Sequence, residues 1–278
     1  MKRFLSLIVA TLLISSSAFA WGLRGHATVA HIAESRLTPK AKALIKEYLG
    51  GNPMSYYASH PDFFRSEMLL DIGFEPKQGS RVVEFPHGFR VDKESFKPWR
   101  TIENEDGTIF KNSIYHMDRI VKNLKDNHAK MNDSVRLVHL YILIHGIGDM
   151  HCPAHVEYFG MTPYCKIPIY YRQGNQWKRR SLHGYWEARM VGAFCPWTYT
   201  DLAQILDIYS PEQIEKYSAG DIYTWAEDIA RCSYPVHLYQ PEERIENSEF
   251  HRKYQGLAEE LLAKAGYRLA KLFNEILN

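Results

Sequence analysis

"SVRLVHLYILIHGIGDM", residues 134–150, is apolar on nearly every face when wound at 3.6 residues per turn. A helix of that kind belongs at the centre of a domain, because no side of it prefers water. Pro153 bars its continuation, since proline lacks the amide hydrogen that the helix uses. Two residues do not suit the apolar setting. His145 and Asp149 stand at i and i+4 and share one face near the C-terminal end. Polar groups buried there without partners would be costly. A hydrogen-bonded network or a metal ion would satisfy them.

Further candidates lie close by in the sequence. His155 follows just past the proline, and His183 and Glu187 form a second i,i+4 pair. Imidazole and carboxylate are ordinary ligands of Zn²⁺, and catalytic zinc sites mix them while leaving a position open for water. His31, His60, His116, His128, His139, His151, His237 and His251 lack such spacing and read as core or surface residues.

The remaining segments predict an all-α fold, a single mainly helical domain over residues 21–278 with long loops. Pro39–Leu49 starts after Thr38, a good N-cap, with proline at the first helical position, and Gly50 and Gly51 stop it. Helical spacing recurs over 61–73, 113–124, 182–191, 201–208, 211–232 and 248–277. Residues 74–110 show no sustained period, and the turn-rich stretch 160–180 predicts a small hairpin.

Residues 1–20 have a basic start (Lys2, Arg3), an apolar run from Phe4 to Ile14 and Ala18-Phe19-Ala20 at the end. That is the pattern of a cleaved signal peptide, with an apolar core shorter than the ~20 residues of a membrane span. Cleavage before Trp21 predicts an exported protein, periplasmic or secreted. The leader holds two of the 34 bases and none of the 32 acids, so 32 of each sign remain. Net charge near zero gives no general attraction to nucleic acid, although a local cationic centre could still hold phosphate. Export permits disulfides among Cys152, Cys165, Cys195 and Cys232, which lack paired C-x-x-C spacing; three full pairings are open.

Four motifs carry a resemblance. "WGLRGHATVAHIAESRLTP" (21–39), "HGIGDMHCPAH" (145–155) and "SLHGYWE" (181–187) occur in order, with "SHPDFFR" (59–65) between the first two. Together they resemble the zinc-dependent single-strand nucleases of the S1/P1 type, whose wider superfamily includes bacterial zinc phospholipases C. The resemblance implies three zinc ions. Asp62, His87, His145 and Asp149 would hold one; His155, His183 and Glu187 a second; Trp21, His26 and Asp149 the third. Trp21 would bind through its amine and carbonyl, so cleavage of the leader would also free a metal ligand. Asp62 and Arg65 would serve catalysis, with Arg65 facing the phosphate. Phe89 and Asn175 would contact substrate.

The implied reaction on single-stranded DNA, RNA or nucleotides is cleavage of the P–O3′ bond, leaving 5′-phosphates, with 3′-nucleotidase activity besides. Three Zn²⁺ with three carboxylates would leave about three positive charges for hydroxide and an anionic ester. Some departures touch the substrate. Gly88, not an aromatic residue, follows His87; the family's D-x-G-G-N loop is reduced to "RQGN" (172–175); and Glu187 stands where the nucleases carry Asp, as in the phospholipase pattern. A phospholipase C acting on phospholipid is therefore one alternative. Tyr56, Tyr57, Phe63 and Phe64 could form its apolar rim, although such residues are more often core. An exported, non-catalytic zinc-binding protein is another. No stable protein partner is implied, and the chain is expected to be a monomer.

Overall fold

Along the chain the helices are α1 (Gly22–Ser35), α2 (Pro39–Tyr48), α3 (Met54–Tyr57), α4 (His60–Phe63), α5 (Ser113–Asn127), α6 (Asp133–Met150), α7 (Leu182–Arg189), α8 (Tyr199–Leu206), α9 (Pro211–Ser218), α10 (Ile222–Ser233) and α11 (Asn247–Leu277). The strands are short: β1 (Phe89–Val91), β2 (Thr101–Glu103), β3 (Ile109–Lys111), β4 (Val156–Tyr158), β5 (Pro168–Gln173), β6 (Gln176–Ser181) and β7 (Glu243–Ile245). This computed structural model describes residues 21–63, 69, 85–103, 109–191, 196–238 and 243–278. The leader, Arg65, Phe64 and Cys195 lie outside the described residues, as does most of the helix expected over 61–73.

The central helix is α6, as its all-round apolarity requires. Every residue from Val138 to Met150 is buried. Asn132 caps its start by accepting a hydrogen bond from the Ser134 amide at 2.9 Å. α1, α5 and the 31-residue α11 pack around it. α1 and α11 approach closely because Gly266 has no Cβ; one built there would lie 2.5 Å from Ile32 Cγ2. No described helix is long and apolar enough to cross a membrane. The result is a mainly helical single domain.

Several details differ from expectation. The helix expected over 211–232 is two helices, α9 and α10. Gly220 takes the left-handed conformation (φ +87°), and the Asp221 carboxylate caps the second helix by accepting from the Thr224 amide at 2.9 Å. α1, with two glycines in its first turn, is not among the expected helices. The irregular stretch 74–110 contains β1, β2 and β3, each three residues long and too short for alternation to register. The hairpin forms as β5 and β6, paired antiparallel with Gln173 opposite Gln176 around Gly174 and Asn175; β7 adds in parallel to β5. Against the expected disulfides, Cys165 and Cys232 are free thiols.

Candidate metal centre

Separate elements bring the ligand candidates together. α6 supplies His145 and Asp149 from one face, α1 supplies His26 and α4 supplies Asp62. His87 and His155 arrive through a parallel pairing: Phe89 of β1 lies opposite Val156 of β4, so the residues just before each strand become neighbours. That approach is close, since a Cβ on Gly88 would lie 3.0 Å from the His155 carbonyl oxygen. α7, capped by Ser181 on the Gly184 amide at 3.0 Å, presents His183 and Glu187.

Asp149 sits at the middle. Its Oδ2 lies 2.6 Å from His87 Nδ1 and 3.0 Å from His145 Nε2, and its Oδ1 lies 3.3 Å from His26 Nε2. Asp62 Oδ1 lies 3.5 Å from His145 Nε2 and 3.9 Å from His87 Nδ1. Beyond His87, Glu187 Oε1 lies 2.7 Å from His183 Nε2 and 3.3 Å from His155 Nε2. Among the described residues, four overlapping groups have donor atoms within 4.8 Å of one another. They are His26/His145/Asp149, Asp62/His87/His145, His87/Asp149/His155 and His155/His183/Glu187. The chain is deepest at His26, His145 and Asp149 and reaches solvent at His87, whose side chain is 30% exposed.

The surroundings orient these ligands. His145 Nδ1 donates to the Ala58 carbonyl at 2.9 Å, which turns Nε2 toward the carboxylates. His26 stacks on His145 with ring centroids 4.3 Å apart. Trp21 is buried, and its indole donates to the Gly148 carbonyl at 2.9 Å, which sets residue 21 against α6 beside Asp149. Its ring also lies 6.2 Å from that of Trp186, the neighbour of Glu187.

Electrostatics here strain against burial. Desolvation disfavours an imidazolium at His145, but the carboxylates of Asp149 and Asp62 outweigh it and hold its pKa up at about 9. Burial disfavours the Asp149 carboxylate too, yet His145, His155 and His87 keep it well below the usual range. Glu187 is likewise lowered against burial by hydrogen bonds from His155 and His183. His26 is lowered by burial first and then by the charge of His145.

The donor set fits divalent metal. His26 Nδ1 and Nε2, Asp62 Oδ2 and Asp149 Oδ1 are buried with no hydrogen-bond partner, each a costly omission unless a cation meets them. Imidazole nitrogens also face one another, His155 Nε2 and His183 Nε2 at 3.2 Å and His145 Nε2 and His87 Nδ1 at 3.3 Å. Two lone pairs repel at that separation, whereas a shared proton or a metal joins them.

Two substrate candidates fall elsewhere. Phe89 is 1% exposed, held in the core by its place on β1, so it offers no face to a base. Asn175 is exposed at the turn between β5 and β6, about 20 Å along β6 from the start of α7 at ~3.3 Å per residue. Gly148 and the Ala58 carbonyl shape the site without being expected to. The spacing of glycines in "HGIGD" was the available sign for the first; a backbone carbonyl leaves none.

A helical scaffold carrying adjoining histidine–carboxylate clusters, deep at one end and open at the other, is suited to holding divalent metal beside a substrate. The family described as S1/P1 Nuclease matches residues 21–278, and the chain belongs to it. It is a nuclease of a zinc-dependent family, and its substrate is nucleic acid. Nuclease S1 of Aspergillus oryzae (strain ATCC 42149 / RIB 40) is 26% identical over 298 residues, covering 97% of this chain and 96% of its own length. Nuclease P1 of Penicillium citrinum is 24% identical over 280 residues, covering 92% and 97%. Endonuclease 4 of Arabidopsis thaliana is 23% identical over 299 residues, covering 98% and 94%.

Proposed function

We propose that the chain is an exported endonuclease for single-stranded DNA and RNA, with 3′-nucleotidase activity, that works with three zinc ions and releases 5′-phosphates. The observation that carries this reading is the run of overlapping donor groups centred on Asp149. Asp62, His87, His145 and Asp149 would hold one ion; His155, His183 and Glu187 a second; His26 and Asp149, with the amine and carbonyl of Trp21, the third. When bound, zinc lowers the pKa of water and offsets phosphoryl charge. The protein's own part is positional. Ala58 and the stacked His26 hold His145, and the β1–β4 pairing holds His87 beside His155. Asp62 and Arg65 would serve catalysis, Arg65 meeting charge that develops on the phosphate.

Export follows from the leader pattern of residues 1–20, and the burial of Trp21 against α6 supports a cut directly before it. The mature protein, residues 21–278, would act as a monomer. One panel tests the reading. Mature protein with measured zinc is offered single-stranded DNA, RNA, a 3′-nucleotide and phosphatidylcholine. Cleavage of the first three, lost on chelation and restored by zinc, is expected. Cleavage of phosphatidylcholine alone would replace the nuclease reading with a phospholipase one.

A further inference from the structure

The donor clusters leave a neighbouring cleft unexplained. Leu23 and Arg24 of α1, Tyr56 of α3, Phe63 of α4 and Tyr199 of α8 line a cleft of about 660 Å³. Small-molecule sites span roughly 300–1,000 Å³, so the space suits a nucleotide-sized group. Tyr56 is 58% exposed and Phe63 55%, where residues of this type were expected in the core. Clustered exposed rings mark binding surfaces more often than they mark nothing.

The cleft adjoins the donor clusters through the chain itself. Phe63 directly follows Asp62, about 3.8 Å away along the backbone, and Leu23 is two residues from Trp21. The turn of α4 buries the Asp62 side chain and leaves that of Phe63 outside. Tyr56 is held by neighbours: its ring meets Tyr57 edge-on at 4.9 Å and lies 5.2 Å from His60. Ser55, Ser59 and Thr198 add hydroxyls to the wall.

We propose that this cleft holds a nucleobase of the substrate strand, from a nucleotide adjoining the phosphate under attack. The proposal rests on the nuclease reading and names where that enzyme grips a base, since Phe89 is buried and cannot. Tyr56 and Phe63 present π faces to the base, and the hydroxyls meet its edge. A lipid acyl chain would cover the same rings but leave the Ser59 hydroxyl against hydrocarbon, which is unfavourable. Stacking on rings is tolerant of base identity, so the cleft should grip any base.

The test is binding by zinc-loaded protein of a phosphorothioate-linked dithymidine and of its analogue lacking both bases, measured by calorimetry. Wild type should bind the base-bearing compound about tenfold or more tightly. Tyr56→Ala/Phe63→Ala should bind both equally weakly, and Tyr56→Phe should keep the preference because it keeps the ring. Both rings are more than half exposed, so the double variant should match wild type in circular dichroism and zinc content. A wild type without preference, or a double variant that retains it, overturns the proposal. So does ring-dependent binding of phosphatidylcholine vesicles with no affinity for the dinucleotide. A ring-dependent base preference in protein that cleaves neither DNA nor RNA would uphold the cleft and sink the nuclease reading. Cleavage of single-stranded DNA without any base preference would do the reverse.

Discussion

Gly148→Ala tests whether the deep end of the centre is as tight as its geometry says. A Cβ at residue 148 would lie 2.7 Å from His26 Nδ1 and 3.1 Å from its Cε1. Ordinary contact between such atoms is about 3.5 Å, so roughly 0.8 Å of room is missing. His26 cannot readily give way, because it is fully buried and its ring is stacked on His145 at 4.3 Å. Two effects oppose each other. Alanine in mid-helix gains up to about 1 kcal/mol over glycine from propensity. Overpacking a buried contact costs about 1–3 kcal/mol. The steric term should win, leaving the zinc-free protein about 0–2 kcal/mol less stable. The functional effect should be larger. Displaced from Asp149, His26 should lose its metal, and perturbed ligand positioning costs ~10–100-fold in affinity or activity. Denaturant unfolding of the zinc-stripped protein, zinc counting and nuclease rates measure the three quantities. A Gly148→Ala protein that is more stable than wild type, fully zinc-loaded and fully active would refute the reasoning.

Asp149→Asn should empty more of the centre than His26→Ala, because Asp149 lies within 3.3 Å of three histidines from different elements; equal loss of one zinc in each variant would contradict its bridging position. One extra residue in front of Trp21 should lower zinc content and remove most activity, and full activity in that extended protein would argue against a terminal-amine ligand. His237 is buried, donates through Nε2 to the Pro153 carbonyl at 2.8 Å, and has its pKa pushed down by burial to about 4 from 6.5. It stays neutral when folded, while the unfolded chain takes up a proton near 6.5. Its effect is therefore absent above that pH, and stability falls as pH drops from 6.5 toward 4, by ~3 kcal/mol in all. In zinc-stripped protein His237→Gln should flatten that slope between pH 6.5 and 4, and parallel stability profiles for the two proteins would rule the histidine out.

The stretch 134–155 made much of this protein legible before any fold was known. An apolar helix bearing His145 and Asp149 on one face needs partners for them, and helical periodicity alone places such a helix at the centre. Thr38 before Pro39, and Gly174 between two strand-like runs, likewise declared a helix start and a turn through local chemistry. The i,i+4 pairs were readable for the same reason, since helix geometry sets their separation within one segment.

What the sequence could not declare depends on contacts between segments far apart. Nothing local says that β1 pairs in parallel with β4, yet that pairing carries His87 to His155. Three-residue strands have too little alternation to announce themselves. Phe89 was expected at the substrate because the resembling motif places an aromatic residue after the histidine, and only packing shows that this ring is core. The same ambiguity ran the other way for Tyr56 and Phe63, which resemble core residues by type and stand exposed in the cleft. Composition and period thus determined most of the long helices and the kinds of ligand, because those follow from short-range geometry, while α1 and the break at Gly220 went unannounced. Tertiary structure decided which ligands meet around Asp149 and which rings stand exposed, because burial is a property of the whole packed chain.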